Sequence, residues 1–590
     1  MAFSPAEHWQ KRRETARSRG LCVTCRKEVP SRGNHVCNRC NGLAKARVAR
    51  MRERRKKQQH HATVARSYEA AGDMAMSRFA YVEASAQFER ALGESPTLED
   101  EVRLCKKIGE TLSCGPRPDF ATPWFERAIE RCTAQEALRK RLPEIMLSIP
   151  HQRWLESRTR EALDYNLRAR QIAIDQNDIA SVRWINISIA YILVSLGRYA
   201  EVENYVAPDT LEALHELSKH ETAETSRNRA VISDLRAIIF ALRGRTSAAF
   251  AEFEYAIEIA KEMPNRQLIT IIWDDYANWA TALGRLDIAR GCREKALLVA
   301  RERRIAWRIP YLTLRFASML IILGDYDHAR DLVRDALTYD TGTPVIRVLL
   351  SSVGVEVALA LGDEMLLERM LDDKVLELAL RSAEPERVAP IIAAYAKISI
   401  ARGEFRHTRT LIARGMEVAN QADHTGDLLA LAARYGSRSD ALRARALLLE
   451  RVRLPHHRVA QAYLALWEAY DMQRSRAGSK LREHAIEAAK LFGRLGRKHQ
   501  QAAALALVGT QHPATSENED RGSRRLMFSA LSPALTNREQ QVADLVLRGL
   551  TNRAIAETLV ISEHTVETHM TSILNRLGLR SRWQLVDRSQ

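Results

Sequence analysis

The chain has 590 residues, of which 46% are hydrophobic and 28% charged, and its formal net charge at pH 7 is +17. This hydrophobic content supports a folded, soluble protein, and no uncharged apolar run approaches the roughly 18 residues of a membrane span. The length suits about four domains or one long repeat array. The N-terminus, MAFSPAEHWQKRR, has no apolar segment behind it and predicts no signal peptide, so we expect a cytoplasmic protein.

The positive charge is concentrated at the N-terminus. Residues 1–61 contain 17 Lys and Arg against 4 Asp and Glu, a net charge of +13, whereas residues 536–590 contain 7 against 6, a net charge of +1. A field of this kind attracts a polyanion or an acidic partner to the first tenth of the chain.

Four of the eight cysteines form a cluster: Cys22, Cys25, Cys37 and Cys40. Two C-x2-C pairs complete the tetrahedral sulfur shell that zinc favours, so we predict one structural zinc ion in a ribbon or knuckle, with residues 30–35 as a hairpin loop. The cluster resembles small bacterial and phage treble-clef or ribbon modules. His35 as a substitute ligand, or a redox dithiol, are the alternatives. The other four cysteines lie in apolar helical sequence and are interpreted as core residues.

A basic stretch follows the cysteines. Ala44–Gln59 is compatible with a helix and is crowded with Arg and Lys, with almost no apolar stripe by which it would dock. Such a segment is either a solvated charged helix or an arm that binds nucleic acid. The sequence leaves both readings open.

Residues 62–510 are helical almost throughout and contain an internal repeat. Glycine turns recur at intervals of 47, 40, 40, 38 and 41 residues, and a fixed period with one turn per unit indicates stacked helical hairpins. Small alanines follow the turns at regular distances and let the two helices approach closely. The turn glycines are Gly197, Gly244, Gly284, Gly324, Gly362 and Gly403.

These units resemble tetratricopeptide repeats, and most of them resemble the longer helical repeats of large bacterial regulators such as the maltose-regulon activator. The packing positions of the clearest unit are Tyr68, Gly72, Tyr81, Ala84, Phe88, Ala91 and Pro96. The resemblance implies a concave surface for a protein, peptide or small effector, and a plain spacer is the alternative. The aromatic residues Trp273, Tyr276 and Trp279 suit core packing better than a ligand wall.

The repeats are followed by a polar segment. Residues 512–525, HPATSENEDRGSRR, contain almost no apolar residue, and they predict a flexible linker that we place at 511–530. The sequence thus predicts four regions: a metal module with a basic arm at 1–61, repeats at 62–510, this linker, and a terminal domain at 531–590.

Capping signals divide the terminal domain into four short helices. Thr536–Glu539 predicts a capping box for a helix through Arg548, Asn552–Leu559 forms the second helix, Ser562 caps a third to Leu577, and Ser581–Gln584 opens the last. In the third helix, Val566, Met570, Ile573 and Leu577 form one apolar stripe. A short turn between the second and third helices is the helix-turn-helix plan.

This domain resembles the LuxR/GerE type of DNA-binding domain. The resemblance rests on about twenty positions, among them Leu535-Thr536-x-Arg538-Glu539, Gly549, Thr551-Asn552-Arg553, Ile555-Ala556, Ile561-Ser562, Thr565-Val566-Glu567, Ile573-Leu574 and Leu577-Gly578-Leu579. Together with the repeats and the cysteine cluster, it predicts an all-α fold: a tetratricopeptide-like α-solenoid with a small N-terminal zinc ribbon or knuckle and a C-terminal four-helix helix-turn-helix domain. A sigma-factor region 4 is the nearest alternative and also reads DNA.

The stripe leaves the opposite face of the third helix for double-stranded DNA. The resemblance implies base readout by Glu567, Thr568 and Thr571, and the alternative for Glu567 is a solvated residue or an intrahelical partner. Further phosphate and groove contacts are expected from Asn552, Arg553, His564, Thr565, Asn575, Arg576, Arg580 and Arg582. The resemblance also implies a homodimer on DNA through the last helix, with Trp583 and Leu585 in the contact.

The sequence supports a transcription regulator more than any enzyme. It contains no G-x-x-x-x-G-K-[ST] or G-x-S-x-G motif, so we expect neither the ATPase domain of large regulators nor a hydrolase site. The leading hypothesis is a sequence-specific DNA-binding regulator whose repeats sense an effector or bind a partner. The alternative is a repeat-based adaptor that its end modules tether to nucleic acid.

Overall fold

The computed structural model describes residues 5–19, 21–29, 36–94, 97–206, 223–263, 267–339, 342–419, 425–453, 458–475, 478–509, 537–547, 552–559 and 561–576. Within these ranges all regular structure is helical, and no strand occurs. The all-α class is therefore confirmed. The chain divides into two compact units, Met1–Ile108 and Gly109–Gln590.

The first unit is dominated by one long helix. Its helices are α1 (Pro5–Ser18), α2 (Asn38–Ser77) and α3 (Tyr81–Gly93), and α4 (Leu98–Leu112) begins in it. The predicted boundary between residues 61 and 62 falls inside α2. The helix continues because residues 43–71 contain neither Pro nor Gly and are rich in Ala, Arg, Lys, Gln and Glu, which favour helix.

The α2–α3 hairpin packs as the repeat resemblance implies. Ala84, Phe88 and Ala91 are buried. A Cβ atom placed on Gly72 would lie 2.5 Å from the Phe88 ring, so only glycine lets the two helices meet this closely. Pro96 lies outside the described residues.

The second unit continues the array of helical hairpins. Its next helices are α5 (Thr122–Ala134), α6 (Leu142–Met146), α7 (Ile149–Leu155), α8 (Thr159–Asp175), α9 (Ile179–Ser195), α10 (Ala223–Leu242), α11 (Thr246–Lys261), α12 (Gln267–Ala282), α13 (Leu286–Glu302), α14 (Arg308–Leu323) and α15 (Tyr326–Ala336). Short 3-10 turns lie at Pro118–Ala121, Glu136–Arg141 and Tyr199–Asn204.

The array then runs to residue 509. These helices are α16 (Pro344–Leu361), α17 (Glu364–Met370), α18 (Asp373–Ser382), α19 (Pro385–Ala401), α20 (Phe405–Val418), α21 (Gly426–Tyr435), α22 (Arg438–Val452), α23 (Arg458–Arg474), α24 (Gly478–Arg494) and α25 (Lys498–Gly509). The predicted linker that follows lies outside the described residues.

The glycine turns adopt the left-handed backbone that the repeat requires. All six predicted turn glycines have φ between +65° and +77°, and Gly496 adds a seventh at +69°. An L side chain at such a φ is strained, which is why glycine recurs at this point of each hairpin.

The helix α16 is apolar on all its faces. It is long and apolar enough to cross a membrane by length and composition, yet 67% of it is buried inside the protein. Its buried residues include Val345, Ile346, Val348 and Val355, which belong to one continuous hydrophobic core with the neighbouring hairpins. A helix that is hydrophobic all round and packed in this way is the core helix of the array.

The four scattered cysteines Cys105, Cys114, Cys132 and Cys292 are buried, as expected of core residues. Of the three aromatic residues on α12, Tyr276 is buried in the core, and Trp273 and Trp279 are partly buried against it.

The repeat array coils back on itself. Arg387 Nη1 donates to the Trp154 carbonyl oxygen at 3.1 Å, although 233 residues separate them. Further along, Arg497 Nη2 donates to the Thr281 carbonyl oxygen at 3.1 Å, and the Tyr326 hydroxyl lies 3.0 Å from His499 Nδ1. Helices one superhelical turn apart are therefore in direct contact.

The interior of this coil holds a buried charged cluster. Asp274, Arg293 and Arg315 are all less than 10% exposed. Arg293 contacts Asp274, and Arg315 contacts Glu386. Both arginines also donate to the Asn278 side-chain oxygen. Buried charges need such paired neighbours, and the sequence pattern did not predict them.

Three further helices follow near the C-terminus: α26 (Asn537–Leu547), α27 (Asn552–Leu559) and α28 (Glu563–Arg576). They agree with the first three predicted helices within a residue or two. The fourth predicted helix, with its capping box at Ser581–Gln584, lies outside the described residues.

Candidate nucleic-acid interface and metal centre

The helix α28 is held by one apolar stripe. Val566, Met570 and Ile573 are buried against Val542 and Val546 of α26 and Ile555 of α27. This burial confirms the predicted stripe for three of its four residues, and Leu577 lies outside the described ones. The three helices thus share a small core that orients α28.

The opposite face of α28 is open to solvent. His564, Glu567, Thr568 and Thr571 are exposed, and Thr565 is half-buried. The Thr568 hydroxyl donates to the His564 carbonyl oxygen at 2.9 Å, and the Thr571 hydroxyl donates to that of Glu567 at 3.0 Å. Because each hydroxyl is engaged within the helix, each threonine offers its methyl group for outside contacts.

The start of α28 is capped as the sequence predicts. The Ser562 hydroxyl oxygen accepts from the Thr565 backbone N–H at 3.1 Å and lies 2.7 Å from the Thr565 hydroxyl. This cap satisfies one of the free N–H groups of the first turn. It also explains why Thr565 is only partly accessible.

Two polar contacts that the sequence did not predict join α26 to its neighbouring helices, α28 and α27. Glu539 is only 4% exposed, and its carboxylate accepts a hydrogen bond from the Ser572 hydroxyl. Arg538 Nη2 donates to the Leu559 carbonyl oxygen at the end of α27, at 2.7 Å. The sequence assigned Glu539 to a capping box with Thr536, which lies outside the described residues. Its burial joins α26 directly to the candidate recognition helix.

The other predicted DNA contacts are located only in part. Asn552 is half-buried at the start of α27. The side chains of Arg553, Asn575 and Arg576 lie outside the described set, as do Arg580, Arg582, Trp583 and Leu585. The role of each in DNA contact stays a prediction.

The four clustered cysteines converge near the N-terminus. The Sγ atoms of Cys22, Cys25, Cys37 and Cys40 all lie within 4.8 Å of one another, which is close enough to hold a metal ion. Cys37 caps α2, and its sulfur accepts from the Cys40 backbone N–H at 3.5 Å. The Thr24 N–H lies 3.4 Å from the Cys22 sulfur. The hairpin loop predicted at residues 30–35, including His35, lies outside the described residues.

The local backbone favours thiolates at part of this site. Burial raises the pKa of Cys22, but hydrogen bonds from backbone N–H groups outweigh it and lower the pKa to about 5. Backbone hydrogen bonds also lower the pKa of Cys25, whereas the pKa values of Cys37 and Cys40 are raised. Four thiolates this close repel one another unless a cation neutralises them, so the donor set suits a divalent metal ion.

The sequence that contains the three terminal helices matches a known protein family. Residues 533–589 match the model of the family "Bacterial regulatory proteins, luxR family". The chain therefore carries a LuxR-family helix-turn-helix domain at its C-terminal end, and α26, α27 and α28 lie within the matched residues.

Named regulators align with parts of the chain. "Putative HTH-type transcriptional regulator Mb0914c" of Mycobacterium bovis is 30% identical over 199 residues, which cover 32% of this chain and 21% of that protein. "Virulence factors putative positive transcription regulator BvgA" of Bordetella pertussis is 35% identical over 88 residues, or 15% of this chain and 42% of the relative. "Oxygen regulatory protein NreC" of Staphylococcus aureus is 37% identical over 73 residues, or 12% and 32%. The chain thus spans less than half the length of each of these relatives.

Solved helical-repeat structures align over most of the chain but superpose loosely. Yeast Tom70 gives a TM-score of 0.30 at 12% identity and covers 79% of this chain and 95% of its own. The Cut9–Hcn1 tetramer of the APC/C gives 0.38 at 10% identity, with coverage of 90% and 98%. The repeat fold rests on the hairpins and turn glycines described above.

Proposed function

We propose that this protein is a sequence-specific DNA-binding transcription regulator that acts in the cytoplasm, at the chromosome. The supporting observation is the division of α28: Val566, Met570 and Ile573 anchor it, while Glu567, Thr568 and Thr571 are exposed in a domain of the LuxR family. The threonine methyl groups suit contact with thymine methyls, and Glu567 suits a cytosine amine in the major groove. His564, Thr565 and Asn575 are further DNA contacts of this helix. The proposed phosphate contacts are Asn552, Arg553, Arg576, Arg580 and Arg582.

The test is selection of bound sites from a random DNA library with the full chain. The double variant Thr568→Ala, Thr571→Ala should lose or change the preferred sequence, because each good base contact contributes about 1–3 kcal/mol of discrimination. Thr410→Ala is the matched control, since Thr410 is an exposed helical threonine whose hydroxyl also donates to the carbonyl four residues earlier. An unchanged site preference in the double variant refutes the assignment of α28.

The domain has a net charge of about +1, so we propose that two copies bind together. Pairing raises affinity without new contacts to DNA, because the second domain binds at a high effective concentration. The last helix, with Trp583 and Leu585, is the proposed dimer contact. Sedimentation of the full chain with an operator duplex should give two chains per duplex, and a 1:1 complex at saturation contradicts the pairing.

We propose that the repeats receive the regulatory signal, as an effector or a partner protein. The length of the array supports this role, since about 450 residues far exceed what a plain spacer requires. A depression of about 240 Å³, lined by Tyr395, Ser399, Arg402 and His407 among others, is smaller than typical small-molecule pockets, and this favours a peptide or protein. Co-purification of a stoichiometric protein whose removal leaves DNA affinity unchanged would favour the adaptor hypothesis instead.

We propose that the four cysteines hold one structural zinc ion. Zinc takes four thiolates in tetrahedral geometry, and a closed site of this kind stabilises the fold around it. Elemental analysis of the full chain should find one zinc per chain, and the Cys37→Ser variant should lose it. Cys132→Ala, at a buried core cysteine, is the control and should keep its zinc. Full zinc in Cys37→Ser refutes the four-thiolate site.

A further inference from the structure

The first part of α2 is a helix that no other described element covers. Every side chain from Asn41 to His61 is exposed; we call these 21 residues the basic segment. They contain eight Lys and Arg and one Glu, a net charge of 8 − 1 = +7. Lys57 pairs with Glu53 at 3.8 Å, and the other seven cations have no salt bridge to any described carboxylate. An exposed helix of this charge is well suited to a polyanion.

Both ends of the basic segment are anchored, so it is a rigid rod rather than a loose arm. Its N-terminal end joins the cysteine cluster through the Cys37 cap. Its C-terminal end continues into the first repeat, where His61 Nδ1 lies 2.5 Å from Glu94 and Ala65 is the first buried residue of α2. At 1.5 Å per residue the segment spans about 30 Å.

Six of the eight cations lie on two opposite sides of this rod, and Arg55 lies between those sides. By helical spacing, Arg47, Arg50 and Arg54 share one side, and Lys45, Arg52 and Lys56 share the opposite side. Val48 and Met51, both about half exposed, lie between them. A flat acidic protein surface would contact only one of these sides. A second copy of the helix carries the same +7 charge and would be repelled.

A duplex groove presents phosphates on both sides of an inserted helix. The major groove of B-DNA is about 12 Å wide and admits an α-helix, whereas the major groove of A-form RNA is too narrow for side chains to read. We propose that the basic segment is a second DNA-binding element, which lies in the major groove and contacts both flanking phosphate strands. This site is separate from α28 and does not depend on an operator sequence.

The experiment measures how the affinity of the full chain for a duplex without an operator depends on salt. Two triple variants each remove one side: Arg47→Gln, Arg50→Gln, Arg54→Gln and Lys45→Gln, Arg52→Gln, Lys56→Gln. Each released phosphate contact contributes about 0.9 to the slope of log K against log salt, so each triple should reduce the slope by about 2 to 3. The control, Arg406→Gln, Arg409→Gln, Arg443→Gln, removes the same charge from exposed helix surfaces of the repeats and should leave the slope unchanged.

Each other outcome contradicts the proposal. Unchanged slopes in both triples exclude DNA contact by the segment, and a reduced slope in only one triple excludes insertion between two strands. An RNA duplex bound as tightly as DNA, with the same dependence on the triples, excludes the major groove. Unaltered helicity by circular dichroism and unaltered zinc content show that the variants are folded. The Thr568, Thr571 double variant should keep the full slope, which separates this inference from the proposed function.

Discussion

Single residues in the C-terminal domain set the position of α28, the proposed recognition helix. Glu539 and Ser572 form a buried hydrogen bond between α26 and α28, and Arg538 closes the end of α27. These contacts lie beneath the surface that we assign to DNA. The precision with which α28 presents its outer face therefore depends on side chains that never touch a base.

The Ser572→Ala variant tests this support. It leaves the buried Glu539 carboxylate short of one donor, which should destabilise the domain by about 1–3 kcal/mol. Chemical denaturation of the full chain, followed by hydrogen exchange of α28, measures the loss. The control Thr571→Ala removes an exposed hydroxyl on the same helix and should change stability by less than about 0.5 kcal/mol. Equal stability of the two variants would contradict a supporting role for Glu539.

The same substitution, glycine to alanine, should change stability in opposite directions at two positions of α2. A Cβ on Gly72 would collide with the Phe88 ring at 2.5 Å, whereas a Cβ on Gly42 meets no atom within 4 Å. Gly72→Ala should therefore destabilise the first hairpin by about 1–3 kcal/mol. Gly42→Ala should stabilise the helix by about 0.5–1 kcal/mol, since alanine favours helix. Thermal unfolding by circular dichroism distinguishes them, and a stabilising Gly72→Ala would refute the close packing.

At the scale of elements, two constraints act on the turns between helices. One is the left-handed backbone of the turn glycine, and the other is close contact with a distant part of the chain. Gly324 and Gly362 end α14 and α16 with nearly the same backbone, at φ of +75° and +68°. Only the first also faces a distant part of the chain, because a Cβ on it would lie 3.1 Å from Lys498 Cβ. The turn at Leu495–Lys498 thus packs on turns about 170 to 210 residues earlier.

Alanine substitutions of these two glycines test whether the contact between Gly324 and Lys498 stabilises the coil. Alanine at either position strains the turn by about 1–2 kcal/mol. Gly324→Ala should cost more than Gly362→Ala, and it should raise hydrogen exchange in α25, which packs on α14. Equal effects on stability and exchange would show that the contact with Lys498 contributes nothing.

At the scale of the whole molecule, burial of charge inside the coil makes stability depend on pH. The carboxyl groups of Asp234 and Asp275 share a hydrogen bond, and the Tyr191 hydroxyl donates to Asp234 at 2.7 Å. Burial raises the pKa of Asp234 to about 7, and burial and the charge of Asp234 raise that of Asp275 well above its usual value. The arginines Arg308 and Arg315 partly oppose this shift of Asp275.

The folded chain therefore holds protons that the unfolded chain releases near pH 4. The stability from Asp234 is fully present below about pH 4 and is lost as the pH rises through about 7, and that from Asp275 is likewise lost as the pH rises through its raised pKa. Asp234→Asn removes the repulsion, so its Tm should fall less than that of the original chain between pH 5.5 and pH 8. Scanning calorimetry at the two pH values measures this, with the exposed Glu368→Gln as control. Identical pH profiles for the original chain and Asp234→Asn would contradict a shared proton.

The local sequence determined most of the repeated features and most of the features that join residues close together in the chain. The turn glycines, the apolar stripe of α28, the Ser562 cap and the C-x2-C pairs are set by spacings of a few residues, because helical periodicity and metal geometry act over that distance. Only the tertiary structure decided the long-range features. The contacts of Arg387, Arg497 and His499, the charged interior and the burial of Glu539 join residues tens to hundreds of positions apart, and no local pattern encodes which distant surface a side chain meets. The unbroken α2 lies between these cases: its residues favour helix throughout, and the structure shows that the basic segment and the first repeat form one helix.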